Sequence, residues 1–579
     1  MKFNLFLHIS FTSFLPIGGV VILCVCLLPA CNQEKKQASP QRAIVPTPQQ
    51  MDKKLPELIK DYVDAAASNS GFINDSIKLL QPEVANFLYQ QKQFAAQWSQ
   101  QENFTKAADS LFHFINSSML YGLFPSDYHS KQLNEIRTRI LADSAAKSDK
   151  KDAVLWAQAD VLLTDALVQL IKDVKLGRLP KDSITLRKDS VLTNEFYVTI
   201  INRIVQSFTV ARVLNELEPG IPAYHLLKQC VKKILEEEEF TDYTPVPYPI
   251  TDSIAYWKAL QKRLFEEKLL PSPDSLLDSS VITAAIKKYQ AAKNLKADGK
   301  AGGETIRSLN LTSKEKFIRL AITLDKFKLL PEQMPAKYLW VNIPSYHMQL
   351  WENDSIRLTS KICVGKPLTR TPVLNSAVSE LVTYPQWTVP QSIIVKEILP
   401  ALKKDPGYLA KKGFSLLNAK NEQVDPYFVD WSQFSKGIPY KVVQGSGDAN
   451  ALGIMKFNFP NKYAVYLHDT NQRYLFGQGA RAFSHGCVRV QEWEKLARYI
   501  IRNDSMQARV NGSRSFTSMD SVFTWLKRKE KHVVPLKNRL PVFIRYFTCE
   551  AKNGRIVFYD DIYNEDKKLK EKYFVNKTF

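Results

Sequence analysis

At 579 residues the chain is too long for one hydrophobic core and predicts several domains. Its 45% hydrophobic content excludes wholesale disorder, and a formal net charge of +21 favours anionic partners. The basic residues are spread along the chain and no nucleic-acid-binding motif stands out. A membrane surface or a carboxylate-rich polymer is therefore expected as partner, and nucleic acid is not.

Lys2 precedes a nearly uncharged run from Phe3 to Ala30, ending Leu28-Pro29-Ala30-Cys31. Such a run (residues 1–31) is a secretory signal or a membrane anchor rather than part of the fold. Leu-x-Ala-Cys resembles the bacterial lipobox, which would make Cys31 a lipidated first residue of the mature protein. The run is also long enough to span a bilayer as an uncleaved helix. Either way a membrane is a partner through the N-terminus, and the bulk of the chain is expected in the cell envelope on the periplasmic side. Residues 32–54, rich in Gln, Lys and Pro, read as a flexible tether.

Residues 55–245 carry a helical signal. Leu155, Ala159, Leu162, Leu163, Ala166, Leu167 and Leu170 recur at helix spacing, and Gly177 closes that helix with Pro180 shortly beyond. Pro245-Val246-Pro247 marks a boundary. Residues 250–312 give short helical patterns around the turn Lys296-Ala297-Asp298-Gly299-Lys300-Ala301-Gly302. Strand signals take over in residues 335–550: Tyr338 to Ile343 and Ser345 to Trp351 alternate and are rich in β formers, and strands follow at Ser360 to Val364 and Leu381 to Tyr384. Residues 391–440 interrupt this pattern with a helical, proline-rich insertion. Strands resume at Lys441 to Gln444 and run from Tyr463 into His468. Val490, Trp493, Leu496, Ala497 and Ile500 form a helix stripe, and Pro541 to Phe547 is a last long strand. Residues 551–579 add a strand and a lysine-rich tail that reads as solvated after Asp566.

Of seven cysteines, Cys24, Cys26 and Cys31 belong to the leader. Cys363 and Cys549 sit in strand-like runs as small buried hydrophobes, and a disulfide among Cys230, Cys363 and Cys549 stays open in an oxidising compartment. Cys487 differs, lying in Ser484-His485-Gly486-Cys487, a polar turn downstream of His468. A thiol with a nearby imidazole is the minimum equipment for acyl transfer by a cysteine nucleophile. Alternation puts Ala464, Tyr466 and His468 on one strand face, from which His468 can look into a groove. A helix expected from about Gln491 would lower the Cys487 pKa through its N-terminus. Gly486 lets the backbone approach an attacked carbonyl, so the N–H groups of His485, Gly486 and Cys487 are expected to form an oxyanion hole. A zinc site from His468, His485 and Cys487 has suitable ligand types but lacks paired ligand spacing, and no metal or cofactor is expected.

His468 followed at this distance by Ser-His-Gly-Cys resembles the signature of the L,D-transpeptidase catalytic domain. The segments YGLFPSDY (Tyr121 to Tyr128) and TDALVQLIKDVKLGRLP (Thr164 to Pro180) resemble the helical scaffold of the large members. Val281 to Asn310, with IKKYQ, LKADGKAG, Thr305 and Leu309-Asn310, is similar to the small three-helix peptidoglycan-binding domain; its bland reading is a helical spacer. Residues 391–440 look like the capping insertion of the large type. The resemblance implies a multidomain α+β protein: a helical scaffold, a three-helix peptidoglycan-binding domain, and a mainly β catalytic domain with a helical cap.

It also implies roles. Cys487 is the nucleophile, His468 moves the proton, and Asp469 orients His468 through its main-chain carbonyl. His485 is structural or substrate-orienting as well as an oxyanion-hole N–H. Arg489 stands where members have Asn or Arg, so it either binds a substrate carboxylate or braces the loop. Ser484, Tyr466 and Trp387 are substrate-binding candidates, with packing the alternative for the two aromatics. The expected reaction is 3-3 crosslinking of peptidoglycan stem peptides with release of D-Ala, in the company of other cell-wall enzymes. Carboxypeptidase, D-amino-acid exchange or protein anchoring by the same acyl-enzyme stays open, as does a non-catalytic wall-binding scaffold.

Overall fold

The structure is a computed structural model and describes residues 42–146, 151–188, 191–273, 278–293, 295–510 and 516–579. The leader with Cys31, and the tether up to residue 41, lie outside these residues. The rest of the expected tether is structured. Ile44–Val45 pairs with Lys151–Asp152, and helix α1 (Pro48–Ser68) begins where the Thr47 side chain accepts the Gln50 N–H and a proline takes the first helical position. Met51 and Leu55 are already buried on its inner face.

The scaffold is wound around α2 (Ala153–Leu176), capped by Asp152 and closed at Gly177, as the apolar stripe predicts. This helix is long and apolar enough to cross a membrane, yet it is wrapped by other helices and buried almost all round. Its three buried aspartates bind the surrounding segments. Asp160 accepts from Tyr89 and Trp98, Asp165 from the Leu80 and Gln81 N–H groups and the His129 ring, and Asp173 from Tyr128. Each satisfies backbone or phenol donors that burial would otherwise leave costly.

Helices α3 (Ser253–Glu266), α4 (Ser279–Ala292) and α5 (Gly303–Asn310) share a small core of Val246, Tyr256, Leu260, Ala285, Tyr289 and Leu309. The buried amide of Gln290 ties it together, accepting from the Gly299 N–H and donating to Thr305 and the Lys300 carbonyl.

Helix α6 (Ser313–Phe327) is buried between scaffold and β domain. Its Asp325 accepts from Arg178 at 2.9 Å and Lys328 at 3.1 Å. Burial pushes the Asp325 carboxyl up, but Arg178 and Lys328 outweigh it and hold it below the usual range.

The β domain contains a nine-stranded sheet among the described residues. Its strands are β1 (Lys337–Asn342), β2 (His347–Glu352), β3 (Ser355–Gly365), β4 (Leu374–Thr383), β5 (Met455–Asn458), β6 (Leu467–His468), β7 (Ala482–Ser484), β8 (Val488–Val490) and β9 (Val533–Arg545). The spatial order is β7-β3-β8-β6-β5-β4-β9-β1-β2, and the long β3 also pairs with β2, so the sheet closes on itself. Leu339, Val341, Leu350, Ile362, Phe457, Leu467 and Val488 fill the interior, and α7 (Trp493–Val510) packs Trp493, Leu496, Ala497 and Ile500 against them.

Three expectations change here. Lys441–Gln444 does not resume the main sheet: it pairs with Trp387–Thr388 and Phe414–Leu417 in a three-stranded sheet of the insertion. The insertion thus has its own core, from Val389 to Val442, with Ile398, Leu402, Leu416 and Trp431 inside. The strand expected from Tyr463 shrinks to β6, because Ala464 turns to φ +53°. The tail after Asp566 is docked rather than solvated. Helix α8 (Glu565–Tyr573) buries Asp566 against Lys326 at 2.6 Å, and Phe574 and Phe579 pack on Phe124. Cys230, Cys363 and Cys549 are free buried thiols, so no disulfide joins them.

Candidate active site

Register assembles the site. β6 runs parallel to β8 with Leu467 opposite Val488 and His468 opposite Arg489, and antiparallel to β5 with His468 opposite Lys456. The Val488 N–H donates to the Tyr466 carbonyl, which sets Cys487 beside Tyr466. Side chains alternate along a strand, so Tyr466 and His468 share the face that Cys487 reaches. The Tyr466 ring lies edge-on to the His468 ring at 5.7 Å, and its hydroxyl is close to the Cys487 thiol and to Trp387, while the thiol itself points to the Ala464 carbonyl at 3.9 Å. Tyr466 therefore touches both members of the thiol–imidazole pair.

His468 is 4% exposed, not open to a groove as the alternation implied. Its Nδ1–H donates to the Asp469 main-chain carbonyl, which leaves Nε2 as the unprotonated nitrogen. The Asp469 carboxylate faces away, accepting from the Ile454 N–H at 3.1 Å and from Arg473 at 3.0 Å. Gly453 makes room for it: at φ +63° a Cβ there would stand 2.3 Å from the carboxylate. Burial, then Arg489 and, more weakly, Lys456, push the His468 pKa down to about 3, so the ring is neutral.

Cys487 does not sit at a helix N-terminus. It precedes strand β8, and α7 starts only at Trp493. With no helix dipole to help, protein crowding around the sulfur pushes the thiol pKa up, although Tyr466, Lys456 and Arg489 oppose the shift. Thiol and imidazole thus rest as a neutral pair, not as thiolate and imidazolium.

The turn itself is held rigidly. Gly486 adopts φ +121°, and a Cβ there would press on the Arg370 carbonyl at 3.3 Å. Its N–H donates to Ser484 Oγ at 3.1 Å, and that hydroxyl donates to the Cys487 carbonyl at 2.5 Å. Two expectations are corrected by this pair. The Gly486 N–H is spent inside the turn and is not an oxyanion donor, and Ser484 is buried and engaged in the loop instead of facing substrate. Thr371 Oγ1 donates to the Gly486 carbonyl and Thr369 Oγ1 to the Ser484 carbonyl, while the Tyr563 hydroxyl accepts from the Thr371 N–H. Sequence reasoning missed these braces, since lone threonines on one loop and a tyrosine near residue 560 carry no spacing signal.

The remaining candidates are placed as follows. The His485 ring is 2.6 Å from Glu397 Oε1, a residue of the π-helical turn Ile394–Ile398 in the insertion. This contact, also missed, joins the Ser484–Cys487 turn to the insertion. Arg489 donates to Gln472 at 2.8 Å while its buried Nε has no partner among the described residues. Trp387 packs on Phe414 within the insertion and comes close to Tyr466. No group of three or more His, Cys, Asp or Glu is arranged to hold a metal ion among the described residues.

Three family models match the chain: the "L,D-transpeptidase catalytic domain" over residues 336–510, the "Scaffold domain" over 83–230 and the "Putative peptidoglycan binding domain" over 255–309. The chain is 36% identical over 272 residues to a "Putative L,D-transpeptidase" of Haemophilus influenzae, a match covering 46% of this chain and 53% of the relative. It thus spans about half the length of that curated relative. A solved structure, "Structure of the Ldtfm-avibactam carbamoyl enzyme", is similar at 12% identity over 39% of this chain and 61% of that one, with a TM-score of 0.15, too low to bear on the fold. Residues 336–510, which hold the closed sheet with His468 and Cys487, thus match the L,D-transpeptidase catalytic domain, with matches to a scaffold domain and a peptidoglycan-binding domain on their N-terminal side.

Proposed function

We propose that the protein forms 3-3 crosslinks in peptidoglycan through an acyl-enzyme on Cys487. The observation that carries this reading is the register of β6 and β8, which gives Cys487 and His468 one face while the Asp469 carbonyl fixes the His468 tautomer. Cys487 Sγ attacks the carbonyl of the L-centre of the diamino acid at position three in a tetrapeptide stem, and His468 Nε2 takes the thiol proton. The C–N bond to D-Ala breaks, and D-Ala leaves as the amine carrying that proton. A side-chain amine of a second stem then attacks the thioester, loses its proton to His468, and releases Cys487 as the thiol. With Gly486 engaged by Ser484, the N–H groups of His485 and Cys487 remain as oxyanion donors.

The wider reading follows from the domains. The scaffold starts earlier than residue 55, the three-helix unit around 250–312 engages peptidoglycan, and the insertion from Trp387 to Gln444 covers the cleft and keeps water from the thioester. The enzyme works in the cell envelope on the periplasmic side, held there by lipid on Cys31 or by an uncleaved anchor. Arg489 serves the substrate carboxylate through the end of its guanidinium, beside the nitrogen that Gln472 holds.

The test is incubation with disaccharide-tetrapeptide, with products followed by mass spectrometry. Crosslinked dimer with loss of one D-Ala is expected, and none from Cys487→Ala. Tripeptide without dimer would make the enzyme a carboxypeptidase, and absence of turnover would leave a wall-binding scaffold.

A further inference from the structure

Lys456 has no place in the reaction as described, yet it stands in the middle of the site. On β5 it is the register partner of His468, and His468 in turn is the register partner of Arg489 on β8. Three neighbouring strands thus set a lysine, a histidine and an arginine in one row on one face. The Lys456 ammonium lies 3.9 Å from the centroid of the Tyr466 ring, whose hydroxyl is close to the Cys487 thiol. It forms no ion pair or hydrogen bond among the described residues. Glu380, the nearest acid on the adjacent β4, is instead held by Asn458 at 2.6 Å. A cation half removed from water without a counter-ion is costly unless an anion forms beside it.

We infer that Lys456 is a positioning residue for the nucleophile: its ammonium on the face of Tyr466 strengthens the phenol O–H as a donor to Cys487 and favours negative charge on the sulfur. A cation over an aromatic face draws electron density toward itself, and the phenol proton becomes a better donor. This supplies what the missing helix N-terminus was expected to supply. It rests on Cys487 being the nucleophile. Burial lowers the Lys456 pKa while the nearby thiol raises it, in keeping with a cation whose partner is the sulfur. The charged and titratable groups around Cys487 are His468 and Tyr466 on and beside β6, Arg489 on β8, His485 in the turn, Glu397 on the insertion, and Glu380 and Lys531 behind Lys456.

The test reads the thiol directly. The full chain is treated with iodoacetamide from pH 6 to 10, and alkylation is followed on the Cys487 peptide by mass spectrometry; sulfur displaces iodide to form a thioether, and its proton goes to water. Lys456→Met should move the midpoint up by about one pH unit, slowing alkylation at pH 8 roughly tenfold, and Lys456→Arg should return it to within about twofold of wild type. Lys456→Gln repeats the measurement if the methionine variant melts early. Superimposed wild-type and Met or Gln profiles would overturn the inference. So would a shift that arginine fails to rescue, since shape rather than charge would then be at work. Alkylation needs no acyl donor, so its outcome is independent of whether the reaction proposed above takes place.

Discussion

His468 and Cys487 both lean toward their uncharged forms, and that has a consequence for acid stability. An unfolded histidine titrates near 6.5, whereas the buried ring holds out to about 3. Below pH 6.5 the unfolded chain takes up a proton that the folded chain refuses. The stability owed to the neutral ring is therefore present above pH 6.5 and is lost as pH falls toward 3. Replacing His468 by Gln should flatten the acid slope of stability by up to about 1.4 kcal/mol per pH unit in this window, read from thermal unfolding at pH 7, 6, 5 and 4. An identical slope in the variant would mean that the ring titrates normally. Cys487 and His468 were legible in the sequence because their residue types recur at a set distance. Lys456 and Glu397 were not, because they arrive from another strand and from the insertion, and only register and packing bring them to the thiol.

Among the elements, the insertion has the loosest attachment to the site. Its core is its own, and among the described residues its polar link to the Ser484–Cys487 turn is the His485–Glu397 contact, with the glutamate side chain half exposed. Such pairs contribute at most about 1 kcal/mol. Glu397→Gln should leave the melting temperature nearly unchanged while speeding hydrogen exchange across residues 394–404, compared with wild type by mass spectrometry. Unchanged exchange there would show that apolar packing alone seats the insertion. The helical character of this stretch could be read from its sequence, but the assignment of Lys441–Gln444 could not. Alternation looks the same whichever sheet a strand joins, and the partner Trp387–Thr388 is only two residues long. The α7 stripe was legible over its whole first half, since a 3.6-residue period has no such ambiguity.

For the molecule as a whole, α6 is the joint. Arg178 at the end of the scaffold's central helix reaches Asp325 on α6 and also donates to the Gly122 carbonyl. Arg178→Met would leave Asp325 buried with Lys328 as its remaining cation, and stability should fall by about 3 kcal/mol, measured by urea unfolding followed by circular dichroism. A loss under about 1 kcal/mol would mean that Lys328 neutralises the aspartate unaided.

The docking of residues 565–579 bears on the order in which the protein is made. Phe124 meets Phe579 at 5.4 Å, and Phe579 stacks on Phe240 and packs edge-on to Phe317. The scaffold residues leave the ribosome early, but the ring that covers this aromatic face emerges after the catalytic domain has been synthesised. Until then the face stays bare, an apolar patch on a nascent chain during the interval in which such chains associate wrongly. A stop codon just before Phe574 would leave the catalytic cleft encoded in full and this face permanently uncovered, so early truncation should show itself as aggregation before it shows itself as lost chemistry.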